Sequence, residues 1–146
     1  MNNFLRAEPV QTAEMRTAGR HSLALFRLRS HADFQRAYAA SRKRQSASMS
    51  WFLAPQSAGE ANPRVGLTAG KVLGKAHDRN RIKRRMREAL RRHMELLPEG
   101  FDLILHPRRT VLTLEFRKLE AEVVRILGEA RLEAEKARAA AGAGNA

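Results

Sequence analysis

The stretch "DRNRIKRRMREALRRH", Asp78 to His93, decides how this chain is read. Eight of its sixteen residues are Arg or Lys: Arg79, Arg81, Lys83, Arg84, Arg85, Arg87, Arg91 and Arg92. Only Asp78 and Glu88 oppose them. Ile82, Met86, Ala89, Leu90 and His93 recur at helical spacing and form one apolar stripe. Asn80, Arg84, Arg87 and Arg91 fall on the opposite face. The segment therefore predicts an amphipathic helix, with Asp78 placed to cap its start. Pro98-Glu99-Gly100 ends it.

The charge of that helix is unusual in kind. Arg87–Arg91 and Arg81–Arg85 are like-charge pairs four residues apart, which repel. Arg79 and Arg81 stand in the predicted first turn, where the helix dipole is already positive, at a cost of a few tenths of a kcal/mol each, order of magnitude. Seven of the eight cations are Arg, whose planar fork fits phosphate oxygens and stacks on bases. A solvated face is the ordinary explanation of a charged helix, but repulsion of one sign calls for an anion to relieve it. Nucleic acid is the expected partner.

The rest of the composition agrees. The 146 residues carry 28 basic and 15 acidic side chains, a net charge of +13. From Arg64 to His93 there are eleven basic residues and two acidic ones, so +9 is concentrated in one fifth of the chain. The length suits one domain with one core. With no cysteine, disulfide frameworks and thiolate metal sites are excluded. No apolar run approaches the roughly 20 residues of a membrane helix, and Glu8, Pro9, Gln11 and Glu14 argue against a secretory signal.

Outward from the basic helix, residues 1–22 lack periodicity and read as a flexible arm. Ser30 caps a helix over about 31–40 that puts Phe34, Ala37 and Tyr38 on one side, with Asp33 placed to return the capping bond. Arg42-Lys43-Arg44 is a basic turn or strand entry. "SMSWFLA", Ser48 to Ala54, reads as a strand with Met49, Trp51 and Leu53 on one face and Ser50 and Phe52 on the other. The loop Pro55 to Pro63 leads to a second strand, "RVGLTAG", Arg64 to Gly70, with Val65 and Leu67 on one face. The two are expected to pair antiparallel. "FDLILHP", Phe101 to Pro107, is a third strand. A last helix begins near Thr113 with Phe116, Leu119, Val123, Ile126 and Leu127 buried. Beyond Glu129 the pattern fades, and residues 129–146 read as a frayed or disordered tail around an RNA-binding domain spanning 23–128. The order helix–strands–helix–strand–helix predicts a small α+β domain with a mixed sheet and about three helices.

The segment after the basic helix excludes competing nucleic-acid readers. A zipper needs a continuous coiled coil, and Pro98 with Gly100 stops it. A helix-turn-helix needs a second helix at once, and a strand comes instead. There remains a phosphate-gripping helix beside a sheet whose Phe52, near Phe34 and Tyr38, offers rings on which single-stranded bases can stack. The five histidines are scattered without predicted carboxylate partners. No metal-ligand spacing occurs, and Asp33, Glu60 and Asp102 form no evident catalytic group.

At these residues the chain resembles the protein subunit of bacterial ribonuclease P. "RVGLTAGKVLGKAHDRNRIKRRMREAL", Arg64 to Leu90, resembles that family's strand, glycine-containing connection and RNR helix. Leu28 followed by Asp33-Phe34-Gln35 resembles its amino-terminal signature, and Asp102-Leu103-Ile104-Leu105 with Arg108 its later strand. The resemblance runs from about Leu25 to Leu127. It implies a left-handed strand–helix–strand crossover, against the general right-handed rule. It implies that Arg79, Asn80, Arg81, Lys83, Arg84 and Arg87 face the catalytic RNA, and that Phe34, Tyr38 and Phe52, with Thr68 and Lys71 nearby, form a cleft for the single-stranded 5′ leader of precursor tRNA. It also implies that the RNA performs the hydrolysis with Mg2+ bound mainly by the RNA subunit and substrate. The expected partners are ribonuclease P RNA and precursor tRNA, with no membrane, no obligate protein partner and a cytoplasmic, bacterial location. The chain departs from the family pattern at Thr68-Ala69-Gly70-Lys71-Val72, which lacks one hydroxyl and one lysine, at His77-Asp78, and at Ala40-Ser41, which lacks a glycine. The alternatives are a general RNA-binding or ribosome-associated protein with no part in cleavage, and a protein-only nuclease, which nothing in the residue inventory favours.

Overall fold

A computed structural model describes residues 26–57 and 62–145. The predicted arm over 1–22 lies outside them. Seven principal elements run in order: α1 (His31–Ala39), β1 (Arg44–Gln45), β2 (Met49–Pro55), β3 (Arg64–Leu67), α2 (Ala76–Arg91), β4 (Phe101–Pro107) and α3 (Phe116–Asn145). The sheet order is β1-β2-β4-β3, with β4 antiparallel to β2 and parallel to β3. This is the expected α+β architecture with a mixed sheet.

One expectation fails. β2 and β3 do not pair; β4 lies between them. The connection from Pro55 to Pro63 is too long to impose a tight hairpin register. β4 is the strand able to fill the middle, because Phe101 to Leu105 are all buried, as a strand covered on both faces must be. The β3–α2–β4 segment is then a parallel crossover between neighbouring strands.

Alternation along the strands sorts the core into two layers. Met49, Trp51, Val65, Leu103 and Leu105 pack under α2 and α3, with Ile82, Met86, Leu90, Leu119, Val123 and Leu127. On the opposite face Ala54 and Ile104 pack with Leu28 and Ala37, and Phe34, Tyr38 and Phe52 lie at the rim. Ahead of α1 the chain adds to the sheet edge: Arg27 bridges Val65 in parallel, and the Leu28 amide donates to the Val65 carbonyl at 2.9 Å.

The helix ends obey local chemistry. Ser30 caps α1 as expected, accepting from the Asp33 amide at 3.3 Å. Asp33 does not return the bond; its carboxylate accepts from Arg36 instead. Nor does Asp78 cap α2. That helix starts two residues earlier, at Ala76, with Lys75 in the cap position and no side-chain cap bond. A 3-10 turn over Lys71–Leu73 and Gly74, at φ +120°, deliver the chain directly into the helix. Asp78 lies inside the first turn, where a carboxylate suits the dipole, and accepts from Arg109 at 3.4 Å. The earlier start moves Arg81 out of the first turn.

α3 continues to Asn145, through the region where the apolar pattern fades. Small residues carry the contact there: Ala130 and Ala134 are buried. Glu133 pairs with Arg44 of β1, and Arg138 donates to the Glu99 carbonyl at 2.6 Å. The sequence pattern missed this because alanine reads as helix-forming filler rather than as core.

Candidate nucleic-acid interface

The apolar stripe predicted on the basic helix is the stripe that α2 buries: Ile82, Met86, Ala89 and Leu90 are all within 1% of full burial. That fixes where every cation points. The cations then divide into two groups. Arg85 is a structural strut, donating to the carbonyls of Val111 at 2.7 Å and of Leu112 and Leu114. Arg91 and Arg92 share Glu88 as an ion-pair partner, and Arg92 also reaches Glu120 at 3.6 Å. His93 gains a partner that the sequence did not show, with Nε2 2.8 Å from Glu120 of α3.

Arg79, Arg81, Lys83, Arg84 and Arg87 make no ion pair among the described residues. The Nε of Arg79 is buried without a hydrogen-bond partner, a state that costs free energy unless something else supplies an acceptor. Burial, then Arg27 and Arg84, push the Arg87 guanidinium below its ordinary pKa. It stays protonated, as arginine does in proteins, but among cations with no counterion. Together with exposed Asn80, these are the six positions named on the sequence. Arg81, Arg84 and Asn80 are exposed on the helix, and none of the five cations has a carboxylate counterion among the described residues.

The second predicted set lies on the other face of the sheet. α1 crosses it with Phe34 over Gly66 of β3 and Tyr38 against Phe52 of β2. The Phe34 and Tyr38 rings are 6.2 Å apart, and Tyr38 meets Phe52 edge-on at 5.1 Å. All three are half-buried. Thr68 and Lys71 do not join the rings. Thr68 comes just after β3, its amide bonded to the Leu105 carbonyl at 3.2 Å, and Lys71 is exposed on the next turn.

Gly66 sets how closely α1 approaches the sheet. A Cβ there would lie 2.7 Å from two carbons of the Phe34 ring. Gly66→Ala is expected to displace Phe34 and cost about 1–3 kcal/mol by overpacking. The thermal midpoint should fall accordingly, and a wild-type midpoint would show that the ring has room to move.

A groove of about 430 Å³ joins the two surfaces. It is lined by Phe34, by the cations Arg27, Arg29, Lys83 and Arg87, and by Leu28, Val65, Leu67 and Leu90. Arg27 and Arg29 were not singled out in the sequence. Their place at the groove depends on the strand-like bridge to Val65, which no local pattern announces.

Two further features escaped the sequence reading. Asp33 and Asp102, which looked unrelated, share two arginines, Arg64 and, at 3.9 Å from Asp102, Arg36. Arg64 donates to both oxygens of Asp102, at 3.0 and 2.9 Å, and to Asp33 at 3.1 Å. The Arg36 hydrogen bond, aided by Arg64, lowers the Asp33 pKa. Both carboxylates are counterions that tie α1 to β3 and β4. The second feature is His106 of β4. Its Nε2 is 2.7 Å from the Tyr38 hydroxyl, and its ring lies 5.0 Å from Phe52. Burial, then the charge of Lys43, lower its pKa. Burial raises that of Tyr38.

Comparison with known proteins gives a consistent result. The family profile described as Ribonuclease P matches residues 24–131. The ribonuclease P protein component of Symbiobacterium thermophilum is 36% identical over 107 residues, which cover 73% of this chain and 92% of that one. That of Chloroflexus aggregans is 37% identical over 107 residues, covering 73% and 78%. Among solved structures, the RNase P protein from Thermotoga maritima superposes with a TM-score of 0.62 at 26% identity, covering 70% of this chain and 96% of its own. The Staphylococcus aureus RNase P protein gives 0.61 at 26% identity, covering 73% and 95%.

Proposed function

The chain belongs to the ribonuclease P protein family, whose role is that of protein subunit in tRNA 5′ processing, and from that premise we propose how its two surfaces divide the work. The α2 face, with Arg79, Asn80, Arg81, Lys83, Arg84 and Arg87, grips the phosphates of the ribonuclease P RNA. The ring cluster of Phe34, Tyr38 and Phe52 holds the single-stranded 5′ leader of precursor tRNA, with Thr68 and Lys71 on the exit from β3. The observation that carries this is the segregation of charge along one helix. Cations with a structural task are paired or bonded to carbonyls, whereas Arg81 and Arg84 stand exposed and Lys83 and Arg87 line the groove that includes Phe34.

In this reading the RNA performs the hydrolysis. Magnesium bound by RNA and substrate would supply the charge for activating water and for the leaving oxygen. Among the described residues no three His, Asp or Glu side chains converge as metal ligands, and Asp33 and Asp102 are committed to Arg36 and Arg64. This chain's residues do other work: they neutralise phosphate charge and orient the leader. No helix is long and apolar enough to cross a membrane among the described residues.

The test is cleavage of precursor tRNA by a bacterial ribonuclease P RNA at low magnesium, with and without the protein. The expected result is accurate 5′ cleavage restored by the protein. Phe34→Ala should then weaken leader-bearing substrate by roughly 5- to 100-fold, the worth of one lost stacking ring, and leave mature tRNA binding nearly unchanged. Tight RNA binding without any effect on cleavage would favour a general RNA-binding protein instead.

A further inference from the structure

Stacking alone does not read sequence, because every base has a π-face. Within the ring cluster, however, two polar atoms stand together. The Tyr38 hydroxyl and the His106 imidazole are hydrogen-bonded at 2.7 Å, and the His106 ring meets Tyr38 edge-on, 5.6 Å between centroids. His106 projects from the same face of β4 as Ile104 and Asp102, opposite Ser50 of β2. Its other nitrogen, Nδ1, has no hydrogen-bond partner among the described residues and is not among the buried unpartnered atoms.

We propose that His106, through its hydrogen bond to Tyr38, determines which base of the 5′ leader the ring cluster prefers. The inference rests on the leader-cleft reading above. A neutral imidazole has one donor and one acceptor nitrogen. With Nε2 engaged by the Tyr38 hydroxyl, Nδ1 takes the complementary role and faces outward. The phenol oxygen keeps a lone pair. A base lying on the Phe52 and Tyr38 rings thus meets both a ring face and a polar edge whose two partners are coupled. The tautomer in which Nε2 accepts from the hydroxyl makes Nδ1 a donor, and the tautomer in which Nε2 donates makes Nδ1 an acceptor and frees the hydroxyl proton. Bases matching this coupled pair keep their edge hydrogen bonds, and those that do not leave a desolvated polar group unpaired. An apolar side chain at position 106 would give the same ring floor without discrimination.

The experiment uses the assembled holoenzyme and precursor tRNAs that differ in a single leader nucleotide, each leader position being varied through all four bases. Wild type should show a spread of about 3- to 10-fold in Kd at one position, the worth of one hydrogen bond. His106→Phe keeps a ring and removes the nitrogens; Tyr38→Phe removes only the hydroxyl. Both should collapse the spread at that position to within about 2-fold. The double variant should go no further, because the two residues act as one unit. His106→Gln, which restores a donor and an acceptor, should retain part of the spread. The readout is the ratio among bases, so a uniform loss of affinity does not imitate it. Should His106→Phe fail to fold, as judged by circular dichroism, Tyr38→Phe alone decides. A spread that survives in a folded Tyr38→Phe or His106→Phe protein, or no spread at any position in wild type, overturns the proposal. If the leader adds no affinity at all, the cleft reading fails first. If the leader adds affinity that Phe34→Ala removes while the base preference persists in the His106 and Tyr38 variants, only this inference fails.

Discussion

Asp102→Ala is expected to lower stability by about 3 kcal/mol, which for a chain of this size is roughly 10 °C in the thermal midpoint. Asp102 is fully buried, and a buried carboxylate is tolerated only when paired and hydrogen-bonded. Here Arg64 provides a two-pronged grip at 3.0 and 2.9 Å, and Gln56 donates at 3.1 Å. Arg36 lies 3.9 Å away. Removing the carboxylate strips the guanidinium of Arg64, whose side chain is only 13% exposed, of its two-pronged partner and leaves the contact to Asp33 in place. The pair as a unit adds little net stability; breaking it from one side exposes the desolvation cost of the other. Asp102→Asn keeps an acceptor and should lose less. The functional consequence is specific. Arg64 also reaches Asp33 of α1, so loosening it lets Phe34 drift from the sheet. Leader-dependent affinity should fall further than affinity for the RNA subunit. Denaturant unfolding of Asp102→Ala within about 0.5 kcal/mol of wild type would mean the network does not hold α1.

A physical divide between local and non-local information separates the features legible in the sequence from those that were not. The apolar stripe of α2 was readable because Ile82, Met86, Ala89 and Leu90 repeat at the period of one helix. The faces of β2 were readable because Met49 and Trp51 alternate with Ser50 and Phe52. Both signals lie within a dozen residues of chain. Strand order was not readable in this way, since nothing local to Arg64–Leu67 says that β4, some forty residues on, will separate it from β2. The buried run "FDLIL" did carry a hint, as a continuous apolar strand belongs at the centre of a sheet. The site divides similarly. The six positions on α2 lie within nine residues of one helix, so their clustering was readable, although Arg79 and Arg81, two residues apart, point to opposite sides of it. His106 and Tyr38 are sixty-eight residues apart, and Asp33 and Asp102 meet through Arg64 and Arg36. Pairings of that kind appear only when the fold brings them together. The α2 start shows a subtler limit. Asp78 has the right chemistry for a cap, but Gly74 had already turned the chain into the helix.

The second large effect concerns salt. Arg84→Ala with Arg87→Ala should reduce the slope of log affinity against log salt for the RNA subunit by about 1.4 to 1.8, which is two phosphates at roughly 0.7 to 0.9 each. At moderate salt the affinity itself should fall on the order of 100-fold or more, the sum of two charge-assisted hydrogen bonds. A matched control separates this from a bulk effect. Arg91→Ala with Arg92→Ala removes the same charge, taking the chain from +13 to +11, and comes from the same helix. Those two arginines already face Glu88 and Glu120, so they hold fewer phosphate counterparts and their loss should change the slope far less. Long-range attraction depends on total charge and would treat the two pairs alike. Contact with phosphate depends on which guanidinium groups are unengaged, and the α2 geometry says which they are. Equal slopes for the two double variants would reduce the basic helix to a diffuse attractor. Unequal slopes in the expected direction would locate the RNA on the Arg84 and Arg87 face, beside the groove that opens toward Phe34.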